Sequence, residues 1–182
     1  MSALYLVEIV PNSQTHDALA TLADVDSRVR GAGAQLIEAQ VTSDNDRIFV
    51  IVEADDAELV SHSLDGLDAA EISEPAPVRL VGADLEDVKA ARPEAGYLVE
   101  WDIPSHIDMD TYLTRKAEKT PLYANVPEVS FLRTYVREDM VKCLCLYDGP
   151  DEAAIERARA AVSTPIDRLH ALAPSLIGVK GR

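Results

Sequence analysis

Apolar residues fall in short blocks separated by stretches in which they recur at helical spacing. Leu4 to Val10 is a run of strand-forming residues, and beyond it Leu19, Leu22, Val25 and Val29 return every three or four positions, as on one face of a helix. Ser13 suits the N-cap of that helix, Arg28 and Arg30 suit its C-terminal end, and Gly31 and Gly33 stop it. Gln35 to Val41 and Arg47 to Glu53 then read as a hairpin about Ser43-Asp44-Asn45-Asp46, whose side chains favour turns. A short helix near Asp56 to Leu67 and a strand from Val78 to Val81 complete the unit.

The same plan returns later in the chain. Tyr5-Leu6-Val7-Glu8, running on to Pro11, reappears as Tyr97-Leu98-Val99-Glu100, running on to Pro104. Val41-Thr42-Ser43-Asp44 with Ile48 to Val52 aligns with Val136-Arg137-Glu138-Asp139 and Cys143 to Tyr147. Copy two therefore predicts a strand over Tyr97 to Ile103, a helix near Asp108 to Ala124 and a hairpin of Val129 to Val136 with Val141 to Tyr147. Asp148-Gly149-Pro150 is expected to open a last helix with Ile155, Ala158 and Val162 on its buried stripe, since proline is tolerated in a first turn. His170 falls at the end of that helix in this reading. The stretch 83–96, acidic, Ala-rich and carrying Pro93, reads as a linker, so the expected organisation is residues 1–84, a linker over 85–96, and residues 97–182.

The order βαββαβ is that of the ferredoxin-like unit. The predicted class is α+β, two tandem ferredoxin-like domains. Helices on one face of each four-stranded sheet leave the other face bare and apolar, so the two sheets are expected to pack against each other as a pseudo-dimeric α/β barrel with a cavity, a further homodimer being compatible with this plan. At 182 residues and 47% hydrophobic, the chain can bury one substantial core or two small ones.

Charge narrows the partners. Asp and Glu number 32 against 17 Lys and Arg, a net charge of −15 spread along the chain. A field of that sign repels phosphate backbones and anionic lipid, which argues against nucleic acid and membrane surfaces. No apolar run is long enough to span a bilayer, and the first residues lack a signal-peptide pattern, so a cytoplasmic location is expected. No phosphate loop, dinucleotide fingerprint, nucleophile elbow or zinc helix motif is present.

In copy two, Val129-Ser130-Phe131-Leu132-Arg133-Thr134-Tyr135-Val136, Asp139, Cys145-Leu146-Tyr147, Gly149-Pro150, Glu152-Ala153-Ala154-Ile155 and Thr164-Pro165-Ile166-Asp167-Arg168 follow one another in a characteristic order. Together with Val99-Glu100 and Pro104, they resemble a family of small ferredoxin-like α/β-barrel proteins that includes nickel-binding members, over about Tyr97 to Leu169. The resemblance implies the barrel fold and a transition metal such as nickel as cofactor, with Cys145 at the family's cysteine position. Where the family places a histidine in a His-Ser-Tyr-Val stretch, this chain has Arg133-Thr134-Tyr135-Val136. Arginine stays protonated and cannot ligate a metal, but it can hold a carboxylate or phosphate. Copy one has Val50 in place of Cys145 and Glu38 in place of Arg133, so the site is expected in copy two.

Cys143 and Cys145 put two thiols on one face of a strand, about 6.5 to 7 Å apart along the chain, and are the metal-ligand candidates, with core packing as the plain alternative. Arg133, Tyr135, Trp101 and Glu100 are the ligand-binding candidates; Tyr135, Tyr147 and His106 are the proton-transfer candidates. An odd turn about Asp139 would place Arg133 across from Cys145, whereas an even one would place Thr134 there. Arg133 would meet either an internal carboxylate, Glu100 or Asp148, or a bound acid. Three functional readings follow: a small-molecule or transition-metal binding protein with its site in copy two; a cofactor-independent monooxygenase, isomerase or cyclase acting on a small anionic or aromatic substrate; or a structural interaction domain.

Overall fold

The computed structural model describes residues 1–12, 18–91 and 94–174; Ser13 and Pro93, singled out above, lie outside them. It is a mixed α+β protein whose described residues form nine strands and five α-helices. Two compact units can be separated, one of Met1–Val78 with the residues from Ala173 on, the other of Arg79–Leu172.

In the first unit, β1 (Ala3–Val10) lies between β3 (Ile48–Ala54) and β5 (Ala76–Val81), with β2 (Gln35–Val41) outside β3 and a two-residue β4 (Glu71–Ile72) also on β1. All of these pairings are antiparallel. Helix α1 (Ala18–Gly31) buries Ala18, Leu22, Val25 and Val29, whereas Leu19, expected on the same stripe, is 55% exposed; the inward spacing of four, three and four begins at Ala18. Gly33 (φ +83°) ends the helix: its N–H reaches Arg30 O and that of Ala34 reaches Val29 O, the paired bonds of a left-handed C-cap. The Thr42 hydroxyl accepts from the N–H groups of Asp46 and Arg47 and so closes the β2–β3 turn, in which Asn45 has φ +61°. Helix α2 (Ala57–Ser63) starts at an Asp56 cap on Leu59 N. The core is aliphatic, with Val7, Ile9, Ile48, Val50, Val52, Val60 and Leu64 almost fully buried.

Residues 85–96, expected as a linker, carry α3 (Leu85–Ala91), with Val88 buried. In the second unit, β6 (Tyr97–Asp102) lies between β8 (Lys142–Asp148) and β9 (Arg168–Ala171), and β7 (Ser130–Arg137) borders β8. Helix α4 (Met109–Lys119) is capped by Asp108 on Thr111 N. The expected single helix to Ala124 instead tightens into a 3₁₀ turn over Thr120–Asn125, because Pro121 has no N–H to continue the α-helical ladder. Helix α5 (Glu152–Ala161) is capped by Asp151, so Pro150 precedes the helix rather than sitting in its first turn. His170 is on β9, not at the end of that helix.

Each unit thus sets the same strand order beside its helices, and their hairpins share an irregularity. The β2–β3 register shifts between Leu36 and Glu38, and the β7–β8 register shifts between Phe131 and Arg133. One extra residue, Ile37 or Leu132, bulges at the same place in both copies.

Candidate functional site

Pairing across β7 and β8 decides which side chains meet. Thr134 lies opposite Cys145 and Val136 opposite Cys143, while Tyr135 faces Leu144 and Arg133 faces Leu146. This is the even register. Because strand side chains alternate, the sequence candidates divide between two faces of the sheet. Trp101, Cys143, Cys145 and Tyr147 join the core with Tyr112 of α4 and Ile155 and Ala158 of α5. Glu100, Arg133 and Tyr135 are on the other face, in the rows of Leu144 and Leu146. Arg133 is 1% exposed and engaged in interactions of its own, so its guanidinium does not point into bulk solvent. Glu100 accepts from Lys142 Nζ (2.7 Å) and Arg168 Nε (2.9 Å) and lies 2.7 Å from His170 Nε2. Burial raises its carboxyl, but His170, Lys142 and Arg168 outweigh that and leave it at about 2. That network is an ion cluster joining β6, β8 and β9, apart from the thiols. His106 is exposed in the turn before α4.

On the helix-covered face the core turns polar. The Sγ atoms of Cys143 and Cys145 are 3.9 Å apart, the Thr134 hydroxyl donates to Cys145 at 3.3 Å, and Arg159 Nη1 is 3.7 Å from the same sulfur. Arg159 also donates to Tyr147 Oη (3.1 Å) and to the Pro165 carbonyl (2.7 Å), and Tyr147 shares a 2.6 Å hydrogen bond with Tyr123. The Cys143 thiol, then Lys116, Arg159 and Thr134, hold the Cys145 thiol well below its ordinary range against the effect of burial. Cys143 moves the other way, because its contact with Cys145 and its burial both favour the neutral thiol. Burial likewise pushes the phenols of Tyr112 and Tyr147 far up. The first unit has no such chemistry: Ile48, Val50, Val52 and Leu64 stand where the second has Cys143, Cys145, Tyr147 and Arg159.

Above this core opens a shallow recess. Trp101, Tyr112 and Tyr123 provide aromatic walls, and Arg115, Lys116, Lys119 and Arg159 provide positive charge. Trp101 stacks on Tyr112 with centroids 6.1 Å apart, and the Arg115 guanidinium lies 5.7 Å over the Trp101 ring. Lys116 Nζ is 4.2 Å over Phe131, itself stacked on Tyr123. Elsewhere cations are held by carboxylates, as Arg28 is by Asp24, Arg79 by Glu138, Arg137 by Asp139 and Arg157 by Glu128. None of the four cations at the recess has a carboxylate within ion-pair distance among the described residues. Arg159 is 3% exposed, and its buried Nε has no hydrogen-bond partner there.

Of the sequence candidates, Trp101 lines this recess and Cys143, Cys145 and Tyr147 lie beneath it. Tyr112, Lys116, Tyr123 and Arg159 were not singled out. The signal for Arg159 was present, since it follows Ile155 by one helical turn on the stripe expected to be buried.

Solved structures resemble the chain in fold over nearly its whole length. A candidate monooxygenase from Lactobacillus acidophilus matches with a TM-score of 0.53 at 8% identity, covering 96% of this chain and 94% of its own. A candidate chlorite dismutase matches with a TM-score of 0.52 at 14% identity, covering 94% and 95%. Among curated proteins, no sequence matches. Residues 97–172, the second copy, match the family described as Nickel responsive protein SCO4226-like, which is consistent with the resemblance drawn from the sequence.

Proposed function

We propose that the second unit is a binding module for a small anionic molecule with a planar, aromatic body, seated in the recess between α4, the 3₁₀ turn and α5. One observation carries this reading: in a chain of net charge −15, four cations at one aromatic-walled recess lack carboxylate partners among the described residues. Unpaired cations held this close together repel one another, a cost that a bound carboxylate or sulfonate offsets. Stacking on Trp101 and Tyr112 would favour a flat ring over an aliphatic acid. In a thermal-shift and calorimetric screen, aromatic carboxylates are expected to stabilise the protein while their neutral amides do not. The double variant Arg115→Gln/Lys119→Gln is expected to weaken the acids about tenfold, two partly solvated charge contacts being worth up to roughly 1 kcal/mol each. Equal binding of acid and amide would remove the proposal.

Nickel(II) does not fit the residues present. Two thiols converge, but no third His, Cys, Asp or Glu joins them among the described residues, and a guanidinium occupies the space beside Cys145. Nickel and zinc sites use more donors than this, and the guanidinium charge opposes a divalent cation there. The enzymatic alternative has fold likeness as its support, with Tyr147 and Tyr123 as an inner phenol pair beside the recess.

The repeated apolar strands further support a sheet-to-sheet pseudo-dimer of two ferredoxin-like domains, with Arg133 and Glu38 at equivalent positions. The second copy expressed alone is then expected to self-associate in sedimentation experiments. A well-folded, persistent monomer would contradict this arrangement.

A further inference from the structure

We infer that the Tyr123 hydroxyl is a specificity-determining hydrogen-bond donor in the recess, and that it selects aromatic acids bearing a second, ring-bound oxygen. This inference rests on the reading of the recess and narrows its ligand class. A chain of hydroxyl and guanidinium groups fixes where one proton goes. Arg159 Nη1 donates to Tyr147 Oη at 3.1 Å, and a guanidinium carries donors only. Tyr147 is 0% exposed, and the acceptor within reach of its own proton among the described residues is Tyr123 Oη, 2.6 Å away. If Tyr123 were the donor of that bond, the Tyr147 proton would be buried with no acceptor, the costlier arrangement. Tyr147 therefore donates to Tyr123.

That direction leaves the Tyr123 proton over. It cannot turn to Tyr147, whose hydrogen already lies between the two oxygens, nor to Arg159, which offers no lone pair. Tyr123 is half-buried and lines the recess, so its proton is presented there. The ring is held by Phe131, stacked at 5.5 Å between centroids, with Lys116 Nζ 4.2 Å over the Phe131 ring. A ligand whose carboxylate meets Arg115 and Lys119 is then offered a further donor at Tyr123, beside the charges of Lys116 and the buried Arg159. A phenolic or carbonyl oxygen accepts that bond. A phenol bound there also gives up its own proton to solvent more readily, because a donor and nearby cations favour the anion. In the first unit Val52 and Leu64 replace Tyr147 and Arg159, so the chain that orients this proton belongs to the second copy.

The test uses the full chain and two probes, 4-hydroxy-3-nitrobenzoate, whose phenolate absorbs in the visible, and 3-nitrobenzoate, which lacks the ring oxygen. Calorimetry on the wild type should show about a tenfold preference for the hydroxy acid, the size of one charge-assisted hydrogen bond. Absorbance titration should find the bound phenol ionising about one pH unit below the free probe, the same factor read on protons. Tyr123→Phe keeps the ring and its stacking and should lose the preference. Tyr147→Phe removes a positioning residue and should lower the preference about threefold, since the Tyr123 hydroxyl is then free to rotate. The ratio of two affinities within one variant is insensitive to a change in stability. If neither probe bound the wild type, the recess reading would fall and this inference with it. If both bound equally, if the bound phenol ionised like the free one, or if either variant kept the full preference, the recess would stand and this inference alone would be overturned.

Discussion

Replacing Arg159 by leucine should destabilise the protein by about 3 kcal/mol, seen as a fall in the urea midpoint at constant slope. Arg159 is buried, and its loss strips donors from Tyr147 Oη, the Pro165 carbonyl and the Cys145 sulfur at once. Hydrogen bonds from a charged donor contribute roughly 1.5–3 kcal/mol each, two of these acceptors, Tyr147 and Cys145, are buried, and leucine returns only part of the loss through apolar burial. The Cys145 thiol would rise towards its ordinary range, so its alkylation in the partly opened protein at neutral pH should slow. Arg159→Leu with Cys145→Val recreates the Leu64 and Val50 pairing of the first unit and should recover about half of the loss, since removing both partners avoids a stranded charge. If the double variant were less stable than the sum of the two single changes, the thiol and the guanidinium would not be acting as a pair.

Alkaline pH should unfold the chain steeply. Tyr112 and Tyr147 are 3% and 0% exposed, and burial holds both phenols neutral far above their ordinary range. Below about pH 10 neither the folded nor the unfolded state ionises them, so their contribution is fully present there. Above it the unfolded chain releases protons that the folded chain keeps, and stability falls by about 1.4 kcal/mol per pH unit for each phenol, or about 2.7 for the two together. Cys143, also held neutral, begins to act in the same direction from about pH 8.5. Denaturant midpoints measured between pH 8 and 12 should stay level at first and then drop, and Tyr112→Phe should make the drop above pH 10 shallower by about a third, one of three such groups being removed. A midpoint flat to pH 12 would show that the phenols ionise in place.

Strands and their repetition were legible because alternation in β1 and β6 is reinforced by a literal recurrence, Tyr-Leu-Val-Glu. Helix α3 was missed since Ala83 to Gly96 is acidic and Ala-rich, and a single inward residue, Val88, gives no periodicity to read. Face assignment in β7 was beyond the sequence for a different reason. The turn at Asp139-Met140, with Met140 at φ +61°, and the bulge at Leu132 each change the parity by one residue, and neither bears a mark that composition reveals. The site was half visible: thiols and Trp101 attract notice as residue types, whereas Arg159 and Lys116 look like ordinary cations of solvated helices until α4 and α5 are laid on the sheet. Counting from the aspartate caps would have helped, because Arg159 follows Asp151 by the interval that separates Leu64 from Asp56.

The twin bulges at Ile37 and Leu132 give the two hairpins one backbone frame. On that shared frame the thiols, phenol and guanidinium are what distinguish the second unit from the first. From β3 and β8 through the following helices, counterparts stay ninety-five positions apart: Ile48 with Cys143, Val50 with Cys145, Leu64 with Arg159. The protein therefore carries its own reference sample. Each polar residue beneath the recess has an aliphatic twin on an equivalent backbone in the same molecule, made, stored and measured under identical conditions.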